Sequence, residues 1–141
     1  MPFFGPCPGA EAPRDPFSRV VFHVRASYYD ETALIVRQLT TRGLKRIAVF
    51  YQDDAYGKAG LEGVRRALKP LNLEPVALGT VQRNTVDVAQ AVKDIVAKAP
   101  ETVVQLGAYK SCAAFSRAAS TAGYGGTSFN VSFVGTQALA D

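Results

Sequence analysis

Two acidic residues, Asp53 and Asp54, stand side by side directly after the apolar run of residues 46–51. Adjacent carboxylates can hold a magnesium ion, or one of them can cap a helix by accepting hydrogen bonds from its free backbone N–H groups. A phosphorelay receiver domain also has an acidic pair after its first strand, but it needs a nucleophilic aspartate after its third. The third strand-like segment is followed by Thr80, Val81 and Gln82. We therefore expect the acidic pair to mark the start of a helix.

Other catalytic and metal-binding patterns are missing from the sequence. It contains no GxGxxG, no GxxxxGK followed by Ser or Thr, and no GxSxG. The single histidine, His23, lies in an alternating apolar stretch and is expected to pack as a strand residue, so a zinc site is not expected. Cys7 and Cys112 form no CxxC pattern; buried free thiols are favoured, and a disulfide between them stays open. We expect no enzyme activity, no metal and no cofactor.

Composition and charge exclude several classes of protein. The 141 residues are 48% hydrophobic and 20% charged, which suits one domain with a sizeable core. The net charge of +4 comes from scattered Lys and Arg residues rather than from a basic stripe, so nucleic acid is not an expected partner. No apolar run approaches the length of a membrane span. The proline-rich N-terminus MPFFGPCPGAEAPRDP has no basic start before an apolar run, so we expect no signal peptide in this chain.

The elements that position these residues alternate regularly. Strands are predicted at residues 20–25, 46–51, 75–79, 102–107 and 130–134. Helices are predicted at residues 30–42, 56–69, 87–99 and 110–122, the third capped by Asp87. The apolar run of residues 46–51 is expected to be a strand buried on both faces. Apolar residues on the first two helices are spaced to face inward: Leu34, Ile35, Leu39, Leu61, Val64 and Leu68. This alternation predicts an α/β fold with a doubly wound parallel sheet of about five strands and helices on both faces.

Loops at the carboxyl ends of these strands form the edge where ligands bind in open parallel sheets. They cover residues 26–30, 52–56, 80–85, 107–110 and 135–137, and they contain four of the six tyrosines. Tyrosine rings can pack on an apolar ligand while hydroxyl groups hold its polar ends. The sequence therefore predicts a small-molecule site at this edge.

Several segments together resemble a known family. VFHVRASYYDET, IAVFYQDDAYGKAGLEGVRRAL, VVQLGAYKSCAAFSRAASTAG and SFVGTQAL are similar to successive blocks of the type I periplasmic solute-binding proteins, in the leucine/isoleucine/valine-binding branch of ABC-transporter receptors. The resemblance covers essentially the whole chain and implies two α/β lobes that close around a ligand. Residues 1–19 would then be the end of the first lobe and a hinge crossing, and residues 20–141 a second lobe that is incomplete at its C-terminus.

The resemblance also implies a ligand-binding loop within residues 1–19. Cys7, Gly9 and Ala10 match the loop that offers backbone N–H groups and a hydroxyl to the ligand carboxylate. Pro8 stands where related sequences often have threonine, so one donor is lost here.

Four further ligand contacts are implied in the second lobe. Asp30 and Tyr56 match residues that line the cleft, and Tyr109 matches the aromatic residue that covers the ligand. Gln137 falls where amino-acid binders place an acid that pairs with the α-ammonium group. A neutral amide holds an ammonium less strongly than a carboxylate does, so the ligand can be an amide, an organic acid or an aromatic compound instead of leucine.

The function that the resemblance implies is ligand capture for transport. The chain would be part of the periplasmic solute-binding component of an ABC-type uptake system for branched-chain or related amino acids, or for small organic or aromatic compounds. Its partners would be the ligand and a membrane permease. The exposed cleft of an isolated lobe predicts a homodimer, which light scattering at high concentration would test. Two alternatives stay open: a free-standing flavodoxin-like signalling domain, and the ligand-sensing half of a receptor.

Overall fold

Helices and strands alternate along the chain, of which the computed structural model describes residues 1–5, 9, 11 and 13–134. The elements in chain order are β1 (Phe3–Phe4), β2 (Val21–Phe22), α1 (Tyr28–Thr41), β3 (Ile47–Gln52), α2 (Ala55–Leu68), β4 (Ala77–Val81), α3 (Ala89–Val96), β5 (Thr102–Leu106), α4 (Tyr109–Thr121) and β6 (Thr127–Asn130). A short 3-10 helix, Lys69–Leu71, follows α2 directly. The α/β class predicted from the sequence is confirmed.

The central sheet is parallel, with the strand order β4-β3-β5-β6. The chain passes from β3 outward to β4, then returns to the other side of β3 to form β5 and finally β6. The connections that leave β3 and β5 therefore run in opposite directions. A crevice opens at such a switch point, outside the carboxyl ends of the two strands, and this is where ligands bind in folds of this kind.

Helices cover both faces of the sheet. A Cβ atom at Gly79 of β4 would contact α3 within 3.1 Å, and one at Gly60 of α2 would lie 2.9 Å from Leu106 of β5. Gly79 is aligned with Phe50 across the sheet, whereas Leu106 is aligned with Tyr51. Because consecutive residues of a strand point to opposite faces, α2 and α3 lie on opposite sides, as the doubly wound prediction requires.

The core forms around β3, which is buried on both faces as its continuous apolar run predicted. Residues 47–50 have no exposed surface. Phe50 stacks on Phe115 of α4, with ring centroids 4.3 Å apart. The predicted inward-facing residues of α2 are also buried: Leu61, Val64 and Leu68.

The first predicted strand does not join the central sheet. Only Val21–Phe22 is a strand, and it pairs in parallel with Phe3–Phe4 in a separate two-stranded sheet. Among the described residues, the central sheet thus has four strands instead of about five. The apolar side chains of residues 20–25 do not pack against a core, and Val24, for example, is 81% exposed. His23 lies just outside the strand and is half-buried, with its Nε2 atom 3.1 Å from the carbonyl oxygen of Pro13.

The last strand also lies earlier than predicted, at Thr127–Asn130 instead of residues 130–134. Its register is set by pairing with β5, in which the Thr102 hydroxyl donates to the carbonyl oxygen of Thr127 at 3.0 Å. The apolar residues that suggested the later position, Val131 and Val134, are buried in the turn that follows.

Two helix details differ from the sequence prediction. Leu34, expected to face inward on α1, is 58% exposed, and Thr32 and Val36 are buried in its place. The third helix begins at Ala89 with Val88 at its N-cap position, so Asp87 does not cap it.

Candidate functional site

A concavity of about 300 Å³ lies at the switch point between β3 and β5. We call it the switch-point cleft. Its lining comes from the ends of several elements: Tyr28, Gln52, Asp54, Tyr56, Arg83, Asn84, Ala108 and Phe133. A second concavity of about 280 Å³ shares Asn84 and Ala108 with it and extends to Tyr109 and Lys110. The prediction that the carboxyl-end loops come together at one edge is therefore confirmed for the described loops.

One wall of the switch-point cleft is aromatic. The Tyr28 and Tyr56 rings meet edge to face, with centroids 5.1 Å apart, and the Phe133 ring lies 5.0 Å from that of Tyr56. Gly9 supports this wall, because its carbonyl oxygen accepts a hydrogen bond from the Tyr28 backbone N–H at 2.7 Å. A Cβ atom at Gly9 would lie 2.8 Å from the Tyr28 ring, so only glycine fits there without a shift. The wall gives the cleft an apolar surface suited to a small ring or branched chain.

Tyr56 sits in the first turn of α2 with its hydroxyl buried and without a hydrogen-bond partner among the described residues. Burial raises the pKa of the phenol well above its ordinary value, so the group is neutral and can donate a proton in a hydrogen bond. An unpaired buried hydroxyl costs free energy, and a ligand that accepts a hydrogen bond would remove that cost.

Asp54 holds the start of α2, as predicted for the acidic pair. Its Oδ1 atom accepts a hydrogen bond from the Gly57 N–H at 3.1 Å, and its Oδ2 atom accepts one from the Gln52 side-chain amide. Asp53 points away and forms an exposed ion pair with Lys58 at 2.9 Å. That lysine, by hydrogen bond and by charge, lowers the pKa of Asp53. Within the described ranges, no group of three or more His, Cys, Asp or Glu residues could hold a metal ion.

Comparison with known proteins identifies a family of binding proteins. The Periplasmic binding protein family matches residues 1–141. The chain belongs to this family. No match was found among curated proteins. None of the helices in the described part of the chain is long and apolar enough to cross a membrane.

Solved periplasmic binding proteins share the fold closely. A possible leucine/isoleucine/valine-binding protein from Rhodopirellula baltica SH 1 is 34% identical, with a TM-score of 0.90 over 99% of this chain and 39% of that chain. A substrate-binding periplasmic protein from Ralstonia solanacearum is 32% identical, with a TM-score of 0.85 over 95% of this chain and 37% of that one. A branched chain amino acid ABC transporter structure from Thermus thermophilus with bound valine shares the fold at 19% identity, with a TM-score of 0.86 over 99% and 37%. The chain thus spans about two fifths of the length of these relatives, 37% to 39%.

Asp30, predicted to line the binding-protein cleft, is engaged in capping α1. Ser27 is the N-cap residue, and its hydroxyl accepts a hydrogen bond from the Asp30 N–H at 3.1 Å. The Asp30 carboxylate in turn accepts a hydrogen bond from the Ser27 backbone N–H at 3.0 Å, and this hydrogen bond lowers the pKa of Asp30. The residue is exposed and does not line the switch-point cleft. A ligand contact at Asp30 stays a prediction.

Tyr109 opens α4 at the edge of the second concavity. It is 43% exposed, and the Lys110 ammonium lies 6.0 Å from its ring centroid. No side chain caps α4 at Ala108. The covering role of Tyr109 stays a prediction. Cys7, Ala10 and Gln137, the other predicted ligand contacts, lie outside the described residues.

Cys112 is a free thiol packed under the cleft rather than in it. Its side chain is fully buried, and a Cβ atom at Gly107 would lie 3.3 Å from its sulfur. Burial raises the pKa of the thiol to about 12, so it stays protonated and acts as a small apolar group.

Sequence reasoning missed several residues of the cleft: Gln52, Arg83, Asn84 and Phe133. The first three lie in or beside the predicted carboxyl-end loops, so their position could have suggested them. Asn84 has a φ of +62°, a turn conformation that Asn tolerates better than most residues. Phe133 was assigned to a strand, and only the turn after β6 brings it to the cleft.

Phe133 is held in place by its neighbour. The Ser132 backbone N–H and hydroxyl donate to the two carboxylate oxygens of Glu31, at 2.8 and 2.7 Å. Arg25 pairs with the same carboxylate at 2.9 Å. This cluster ties the turn after β6 to the start of α1 and so places Phe133 against Tyr56.

We expect Glu31→Gln to lower the free energy of unfolding by about 1–2 kcal/mol, since charge-assisted hydrogen bonds are lost from a partly exposed site. Burial alone would raise the pKa of Glu31, but the Ser132 hydrogen bonds and Arg25 hold it below its ordinary value of 4.5. A lowered folded pKa means that the stabilisation is complete above pH 4.5 and is lost as the pH falls through the folded value.

Urea unfolding from pH 3 to pH 7 measures both effects, and Glu62→Gln is the matched control. Glu62 lies 4.0 Å from Arg66 with both side chains more than half exposed, so its loss should change little. Equal pH profiles for the original chain and Glu31→Gln would contradict the role of the cluster.

Proposed function

We propose that this chain is the ligand-binding part of a periplasmic solute-binding protein that delivers a small molecule to an ABC-transporter permease. The observation that carries the proposal is the switch-point cleft, whose aromatic wall includes Tyr56, a residue with a buried hydroxyl that has no partner among the described residues. Family membership supports binding rather than catalysis, because the relatives are named as binding proteins. The periplasmic relative from Ralstonia solanacearum supports a periplasmic location, and the ABC transporter structure from Thermus thermophilus supports a permease partner.

The ligand belongs to the class of small amino acids or organic acids. Distant structures of the same fold were solved with valine, in the protein from Thermus thermophilus, and with benzoate, in a solute-binding protein from R. palustris. A cleft of about 300 Å³ suits ligands of that size. In the complete protein, the ligand would bridge two lobes and favour the closed form in proportion to its higher affinity for that form.

The division of the chain at residues 19 and 20 is part of this proposal. The β1–β2 pair forms a sheet of its own, apart from the central sheet, which supports a hinge region there. Gly9 packs on Tyr28 at the cleft, which supports a ligand contact from the first segment. Cys7 and Ala10 stay predicted contacts of the same loop. Tyr56, Tyr109 and Gln137 would supply the contacts from the second lobe.

Self-association of the chain also stays a prediction. Several aromatic and aliphatic side chains around β1 and β2 are exposed and support it: Phe3, Phe4, Phe17, Val20, Phe22 and Val24. Ligand sensing by a receptor would use the same cleft and stays the alternative to transport.

Tyr56→Phe tests whether the cleft binds ligand. Removing an unpaired buried hydroxyl should leave the free chain equally stable or more stable, by up to about 1 kcal/mol. The same change should weaken binding of valine or benzoate about fivefold, because the ligand loses a hydrogen bond. Thermal unfolding without ligand and NMR titration with each compound measure the two effects.

Tyr124→Phe is the control for that experiment. Its hydroxyl is already paired, donating to the Thr127 carbonyl oxygen at 2.9 Å. We expect this change to reduce stability slightly and to leave binding unchanged. If Tyr56→Phe leaves the affinity for every compound unchanged, Tyr56 does not contact ligand. If neither valine nor benzoate produces a shift at the cleft, the proposed function fails for this class of ligand.

A further inference from the structure

Arg83 brings an unpaired positive charge to the switch-point cleft. It lies in the loop after β4 and lines the concavity together with Asn84 and the aromatic wall. Within the described part of the chain, no hydrogen bond, ion pair or ring contact engages its guanidinium. A second cation, Lys110, lines the adjoining concavity. Guanidinium groups bind carboxylates through two parallel hydrogen bonds, which makes Arg83 a natural partner for an anionic group.

The acidic side chains of the neighbouring loop already accept hydrogen bonds or form an ion pair. Asp54 is the only acidic residue among those that line the cleft in the described ranges, and both its oxygens accept hydrogen bonds from within the protein. Asp53, in the same loop, is paired with Lys58. A ligand carboxylate would therefore find a guanidinium without a partner among the described residues, whereas a ligand ammonium group would have to share the Asp54 carboxylate with the two donors inside the protein.

Hydrogen bonding in the cleft favours the same kind of ligand. The Tyr56 hydroxyl is a buried donor without an acceptor, and Arg83 adds further unused donors. The faces of Tyr28, Tyr56 and Phe133 provide an apolar surface beside them. The site thus combines unused donors and positive charge with a place for a ring.

We propose that Arg83 determines specificity and that the cleft takes a small aromatic carboxylic acid. The carboxylate pairs with Arg83, and the ring packs on the wall formed by Tyr28, Tyr56 and Phe133. This inference rests on the proposed function and narrows it, since a neutral ligand would leave the guanidinium unpaired and a zwitterion without a ring would leave the aromatic wall uncovered.

The test is an NMR titration of the ¹⁵N-labelled chain at pH 7 and constant ionic strength with three probes. Benzoate carries the ring and the carboxylate, benzamide has the same shape without the charge, and valine is a zwitterion without a ring. Arg83→Gln removes the guanidinium. Arg37→Gln, at an exposed position on α1 away from the cleft, makes the same change in net charge and serves as the matched control.

We expect benzoate to shift the amide signals of Asn84 and Ala108 and to bind about tenfold more tightly than benzamide or valine. Arg83→Gln should remove about tenfold of the benzoate affinity and leave benzamide unchanged, whereas Arg37→Gln should change neither. Tighter binding of valine than benzoate, or equal losses in the two variants, would overturn the inference while leaving the proposed function intact. No shift at the cleft with any probe would overturn both.

Discussion

Gly57→Ala is expected to lower the free energy of unfolding by about 3 kcal/mol or more, the largest effect of a single methyl group at any described glycine. A Cβ atom at Gly57 would lie 1.9 Å from the carbonyl oxygen of Gln52 and 2.8 Å from that residue's backbone carbon and nitrogen. These are main-chain atoms of a buried strand and cannot move aside as a flexible side chain would. Urea unfolding followed by circular dichroism measures the change.

Gly125→Ala provides the control, because a Cβ atom there would meet nothing within 4 Å and the backbone is not in the left-handed region. We expect a change within about 0.5 kcal/mol. Gly60→Ala should fall between the two, since the nearest atoms belong to the Leu106 side chain, which can adjust. Equal losses at Gly57 and Gly125 would show that the contact with Gln52 does not determine the effect.

The close approach at Gly57 matters for function as well as for stability. It lets α2 begin within three residues of the end of β3, and this places Tyr56 in the cleft and not above it. A bulkier residue would push the start of the helix outward, and Tyr56 with it. Ligand affinity should therefore fall in any Gly57 variant that still folds.

Much of the fold could be predicted from local pattern. The apolar run of β3 predicted a strand buried on both faces, and the spacing of Leu61, Val64 and Leu68 predicted the inner side of α2. These predictions are correct because they depend on burial, which the order of apolar residues in the sequence determines directly.

The errors arose where pairing between distant segments decides the outcome. Val21–Phe22 has strand-forming residues but pairs with β1 instead of entering the central sheet. Thr127–Asn130 is less apolar than the residues after it, yet alignment with β5 makes it the strand. Register and partner choice depend on residues far apart in the sequence, so neither could be inferred from a local pattern.

Part of the candidate site could be predicted from the sequence. Carboxyl-end loops could be placed at one edge from the alternation of elements, and Tyr56 from the family resemblance. The role of Arg83 could not be predicted from the sequence, because only the structure shows that no described residue pairs with its guanidinium. Asp30 shows the opposite case, because its sequence position fits both a ligand contact and a cap, and its hydrogen bonds to Ser27 reveal the capping role.

Asp54→Ala is expected to lower the free energy of unfolding by about 2–3 kcal/mol. The change removes the N-cap of α2 and leaves the amide of the buried Gln52 side chain without its acceptor. Asp54→Asn keeps a capping oxygen and should recover most of the loss, because asparagine caps helices about as well as aspartate. Urea unfolding of both variants gives the comparison.

Asp53→Ala separates this capping role from a magnesium site, the alternative that an acidic pair allows. Asp53 is exposed, and its side-chain partners among the described residues are Lys58 and Gln82, so its loss should change stability little. If the pair held magnesium, both alanine variants would lose a magnesium-dependent stabilisation that the original chain shows, and asparagine at position 54 would rescue it poorly. If capping is the role, adding magnesium shifts none of the unfolding curves, and Asp54→Ala differs most from the original chain. A shift with magnesium in the original chain would revive the signalling-domain alternative and place its chemistry at the end of β3.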